Sequence, residues 1–210
     1  DEVREAQPEP LRSALREGSL HADLSVATTG VAPPGSAVGG LQLTLRIDPG
    51  LRDHADLVRG EWPEAMTNVE AGGSAPSLLA HDPSTPLPDI EGLELIQVVL
   101  LDEAARQLNW KVGEQWGAML LTGTYAPRDP DDPRWAHAGN STALGRISSQ
   151  GGEIATAAGY LAPDSTGAVD LRAVELRLRF VLPLEVEGVR GDQVSDLVRQ
   201  VEQLASSRSP

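Results

Sequence analysis

Between Val174 and Val186 the chain alternates, with Val181 and Pro183 the two apolar residues at the otherwise polar positions. Val174, Leu176, Leu178, Phe180, Leu182, Leu184 and Val186 are apolar, and Glu175, Arg177, Arg179, Glu185 and Glu187 stand between or beside them. A period of two puts every apolar side chain on one face of an extended strand, and no helix can gather them on one side. This run therefore commits the chain to a sheet with one buried face, and it predicts that Leu176, Leu178, Phe180 and Leu182 form a buried row. Pro183 cannot donate to a ladder, so the strand lies at an edge there or carries a bulge.

Other segments repeat the pattern. Leu20, Ala22, Leu24 and Val26 alternate with His21, Asp23 and Ser25, and Leu41, Leu43, Leu45 and Ile47 with Gln42, Thr44 and Arg46. The Gly- and Pro-rich stretch 30–40 separates these two, which predicts a hairpin across a long loop, and Asp48-Pro49-Gly50 predicts a turn after its second strand. A strand is expected over Ala118–Tyr125. A second hairpin is expected where Ala143–Ser149 and Glu153–Leu161 flank Gln150-Gly151-Gly152.

Helices are fewer. Leu93, Ile96, Leu100, Ala104 and Leu108 recur at helical spacing, with Val98, Val99 and Leu101 widening the apolar side, so an apolar central helix is read over 92–109. Val194, Leu197, Val198, Val201 and Leu204 predict a C-terminal helix over Gly191–Leu204. A helical turn or two is expected within Leu51–Gly60, and a short helix at Leu11–Arg16. Strands that follow one another in sequence favour antiparallel pairing. The expectation is an α+β domain over 20–206, in which a mainly antiparallel sheet of about six strands packs against the 92–109 helix. A flexible polar lead-in over 1–19 precedes it, and a long loop spans about 60–91.

Charge narrows function. Thirty-one acidic residues face seventeen basic ones, a formal net charge of −14. A polyanion is repelled by such a surface, and four Trp, two Tyr and one Phe leave few stacking platforms, which argues against nucleic-acid partners. Lys111 is the one lysine. Arginine in its place, with abundant Ala, Gly and Pro, fits a GC-rich bacterial genome. The absence of cysteine removes disulfides, thiolate metal sites and thiol nucleophiles together. No apolar run approaches the roughly 18 to 20 residues that span a bilayer as a helix. The chain begins at Asp1 with a polar, Pro-bearing stretch, read as a tether such as follows a leader or an anchor.

A search for chemistry returns little. His21, His54, His81 and His137 lie beside acids and show no i,i+4 pairing of the H-E-x-x-H kind. Asp129, Asp131 and Asp132 resemble a calcium loop, but Arg134 and Asn140 stand where an EF-hand requires Gly and Glu. G-x-S-x-G, G-x-G-x-x-G and the P-loop pattern are all absent, so no cofactor is expected. Asn140-Ser141-Thr142 fits a glycosylation triplet without further support. Trp110, Trp116 and Trp135 fall within 26 residues. They either wall a ligand groove or plug the end of the sheet.

Three classes of function remain. The first is a non-catalytic envelope or secreted bacterial binding domain, taking an apolar small molecule or a protein partner, with Trp110, Trp116, Trp135, Val99 and Leu101 as its expected contact residues. The second is a structural or assembly component of a surface or secretion apparatus, self-associating through its sheet. The third is an enzyme whose carboxylates and histidines converge only in the fold.

Overall fold

The computed structural model describes residues 5–15, 19–65, 95–132, 134–135, 140–149, 152–167, 176–181 and 189–206. Among the described residues nine strands join in one sheet. They are β1 (Ser19–Val31), β2 (Gly40–Ile47), β3 (Ala55–Gly60), β4 (Ile96–Leu101), β5 (Gln115–Trp116), β6 (Met119–Pro127), β7 (Gly145–Ser149), β8 (Gly152–Leu161) and β9 (Leu176–Val181). The spatial order is β3-β6-β4-β8-β2-β1-β9, with β5 paired to β6 and β7 to β8. Helices are short: α1 (Leu11–Ala14), α2 (Leu51–His54), α3 (Asp102–Gln107) and α4 (Val194–Ser206). The class is α+β, as read from the sequence.

Both hairpins form. β1 pairs antiparallel with β2, from Ala22↔Ile47 to Val31↔Gly40. β7 pairs antiparallel with β8, closing at Ser149↔Gly152. The sheet as a whole, however, is mixed rather than mainly antiparallel. β2 runs parallel to β8 over eight register positions, Gly40↔Ile154 to Ile47↔Leu161, and β4 runs parallel to β6. Neighbours in sequence pair where a short turn allows it, but β2 and β8, paired near the centre, are about a hundred residues apart in the chain.

The expected central helix over 92–109 is not there. Ile96–Leu101 is strand β4, and helix is confined to Asp102–Gln107. The sheet is covered on both faces at β4, where Gln97 is partly exposed and every other residue is buried, so little marks a solvent side. A strand buried on both faces reads as a continuous apolar run, which helical spacing also matches. Ile96, Val98 and Leu100 join the core on one face, beside Leu41, Leu43, Leu45, Leu108, Trp110 and Met119. Val99 and Leu101 join the other, beside Leu51, Tyr125, Trp135 and Tyr160. β-Branched Val98 and Val99 suit that two-sided burial. Where Asp102 and Glu103 interrupt the run the chain turns helical, and Asn109 ends the helix with φ of 49°.

Asp102 fastens α3 to the sheet. Its carboxylate accepts from Thr124 Oγ1 on β6 (2.7 Å) and Arg59 Nε on β3 (2.8 Å), and pairs with Arg106 (3.1 Å). Burial by itself would raise this carboxyl. The hydrogen bonds from Thr124 and Arg59 and the charges of Arg59 and Arg106 outweigh it and hold the group below its ordinary value of 3.8.

Two compact units share the chain, residues 20–179 and residues 1–19 with 180–210. In the smaller one, Leu11, Ala14 and Leu15 bury against Leu197 of α4, and Gln200 both accepts from the Leu11 N–H and donates to the Glu9 carbonyl. The alternating run at 174–187 yields strand over Leu176–Val181. The facing of Leu176, Leu178 and Phe180, and Leu182 entirely, lie outside what is described, as does the 60–91 loop beyond Ala65.

Candidate functional site

One face of the sheet is packed with polar groups. Arg46 (β2), Tyr160 (β8) and Tyr125 (β6) lie on the same side as Val99, and the register sets Arg46 beside Tyr160 and Tyr160 beside Val99. Residues from the segment that follows β6 cover them. Ser141, fully buried, is the hub. Arg46 Nη1 donates to its Oγ (2.8 Å), and Tyr160 Oη lies 2.6 Å from the same atom. Tyr125 Oη donates to its carbonyl (2.7 Å). The two phenol rings meet edge to face, with centroids 5.6 Å apart. Desolvation pushes the Tyr125 phenol well above its ordinary value of 10.0, and the neighbouring Tyr160 adds to that. Burial raises Tyr160 too, against the opposing bond to Ser141 and the charge of Arg46. Both phenols are hydrogen-bonding struts, neutral at physiological pH.

Beside this hub lies a buried ion pair. Arg134 Nη2 donates to Asp48 Oδ2 at 2.6 Å, with the two side chains 4% and 1% exposed. Asp48 Oδ1 also accepts from the Gly50 N–H (2.9 Å), shaping the turn that leads into α2. Arg134 stacks over Trp135, 5.3 Å from the ring centroid.

The turn at Asp48–Gly50 opens onto solvent. Because β2 and β8 are parallel, with Ile47 opposite Leu161, their carboxyl ends emerge side by side. That sets α2 next to Ala162, Pro163 and Asp164. Residues 61–65 form the facing wall. Glu61 N–H donates to the Thr122 carbonyl, and Glu64 N–H to Gln97 Oε1. The result is a groove lined by Arg52, Trp62, Pro63, Glu64, Ala65, Ala162, Pro163 and Asp164. Its inner end reaches Asp48, Leu51, Val99 and Leu161 and has room for about one water molecule. The Arg52 guanidinium lies over the Trp62 ring, 5.6 Å from its centroid, and reaches the Pro63 carbonyl.

The residues singled out from the sequence are distributed differently. Trp110 and Trp116 stack on the opposite face of the sheet, 5.8 Å apart. Both are buried, with their indole N–H groups spent on the Glu114 and Val31 carbonyls. Trp135 belongs to the polar face, so the sheet separates it from the other two. Val99 and Leu101 are core residues of that face, and Val99 alone of the five lines the groove, at its floor. Asp129 and Asp132 serve their own turn. Asp129 accepts from the Asp131 N–H, and Asp132 accepts from the Arg134 N–H and meets His54 Nδ1 at 3.0 Å. Among the described residues no group of three His, Asp or Glu side chains is placed to hold a metal ion. Trp62, with Arg52 and Pro163, carried no sequence signal. It is an isolated tryptophan before a proline, and its partners lie ten and about a hundred residues away. The sequence matches no protein-family model, and no curated protein is significantly similar to it.

Proposed function

We propose that this chain is a binding domain without catalytic chemistry of its own, which docks a protein partner on the Arg52–Trp62 groove. The observation that carries this reading is the rim itself. A partly exposed indole, Pro163 and a guanidinium stand at the surface of the groove, whereas Arg46, Asp48, Arg134, Ser141 and Tyr160 of this face are committed to one another in the interior. Tryptophan and arginine supply large contact area and strong directional bonds, and they dominate the energetics of protein interfaces. A groove open along its length, with a closed end no larger than a water, suits a chain segment laid across it. An apolar small molecule would need a deeper cavity to leave water.

Placement of the domain on the extracytoplasmic side of a bacterial cell belongs to the same reading, and fractionation of the native host would test it. For the groove, the test is selection of a random heptapeptide library on the immobilised domain. Selected sequences should bind wild type and lose binding to Trp62→Ala, with circular dichroism unchanged. A selection yielding only sequences indifferent to Trp62→Ala would refute the reading.

A further inference from the structure

Charge in and around the groove specifies its occupant further, if the groove is the docking site as proposed above. Two carboxylates, Glu64 and Asp164, line it against one guanidinium, and that guanidinium is already engaged by Trp62 and the Pro63 carbonyl. At the inner end the Asp48 carboxylate is matched by Arg134. The groove thus carries a local excess of negative charge on a chain whose net charge is −14. A field of that sign accelerates encounter with cations and opposes anions. The apolar strip between the carboxylates is Trp62 and Pro163, both partly exposed, with buried Pro63 and Ala162 behind them, and it fits an aliphatic stem. Lysine and arginine bury such stems along apolar surface while their heads stay with counter-charges in water.

We infer that the groove takes a basic segment of a partner protein, with a Lys or Arg stem laid against Trp62 and Pro163 and its charge toward Glu64 and Asp164. Bound in this way, the incoming cation meets the indole rim that Arg52 already marks as a cation-stacking surface.

Trp62 provides the readout. It is one of four tryptophans, and the other three are buried. Ten-residue peptides alternating Lys-Pro, Ser-Pro and Glu-Pro would be titrated at 150 mM salt, reading Trp62 emission and its quenching by acrylamide, with Trp62→Phe as the blank. The Lys-Pro peptide should protect Trp62. Affinity should fall roughly two- to fivefold with each of Glu64→Gln and Asp164→Asn, the range of exposed charge pairs, and the Glu-Pro peptide should not bind. Equal or tighter protection by Ser-Pro or Glu-Pro would overturn the inference while leaving the groove as a docking site. Lys-Pro binding that neither protects Trp62 nor responds to the two substitutions is general adhesion to an acidic surface, and overturns it too. If no peptide protects Trp62 the basic-segment inference falls. The broader reading falls only when library selection also fails to return Trp62-dependent sequences.

Discussion

Replacing Asp48 with Asn tests whether the buried ion pair holds the groove's floor in place. The substitution keeps the shape and an acceptor for the Gly50 N–H, and removes the charge that faces Arg134. At the observed 2.6 Å, two unit charges in a medium of effective dielectric 20 attract by about 6 kcal/mol. Part of that is offset by desolvation, and breaking a buried pair by removing one partner costs about 3–5 kcal/mol, because the survivor is left as an uncompensated buried charge. For a chain of this size each kcal/mol moves the melting temperature by roughly 2–4 °C, so Asp48→Asn should lower Tm by roughly 6–20 °C. Urea titration followed by tryptophan emission and far-ultraviolet dichroism measures the loss directly. Arg134→Met should cost a similar amount. The double variant should be far less destabilised than the two singles added together, since with both charges of the pair removed neither partner is left facing a missing counter-charge. Single losses below about 1 kcal/mol, or simple additivity, would show that the pair is solvated and that its geometry carries no such energy.

The remaining expectations concern the two faces of the sheet and its titrating groups. Val99→Asp should unfold the domain or cost at least about 3–5 kcal/mol by urea titration, because Val99 is fully buried among apolar and aromatic groups; a stable, monomeric variant would contradict the packing of β4. The chain's two tyrosines both have phenols raised in the fold, so their contribution to stability is complete below pH 10 and is lost as pH climbs past that value. Absorbance at 295 nm should therefore stay flat through pH 10 and rise only together with loss of dichroism, and a separate midpoint near 10 in folded protein would refute this. Asp102 is held low, so its stabilisation is present above pH 3.8 and fades as pH falls below it. Asp102→Asn should accordingly be more destabilising at pH 7 than at pH 3, and a penalty that does not change with pH would argue against the Arg59 and Arg106 pairing.

Local order was legible in the residues themselves. Alternation between Leu41 and Ile47 placed β2, and its leucines do share one core face. The Gly pair at 151–152 marked the β7–β8 hairpin, and the 3.6-residue spacing of Val194, Leu197 and Val201 marked α4. Each of these signals is decided by neighbours a few residues away, through pleat, turn geometry or helical pitch. Tertiary structure decided the rest. Ile96–Leu101 satisfies helical spacing as well as strand spacing, and only the presence of cover on both sides of the sheet, supplied by distant segments, makes it a central strand. Parallel pairing of β2 with β8 likewise cannot be read from either strand, since it depends on where the intervening hundred residues return. That pairing is what brings Ile47 level with Leu161 and so gathers Arg52, Trp62 and Pro163 around one groove. The tryptophans conspicuous by their closeness in sequence, Trp110, Trp116 and Trp135, were divided between opposite faces for the same reason. Spacing along the chain sets which way a side chain points from its own strand, but strand order sets what it meets.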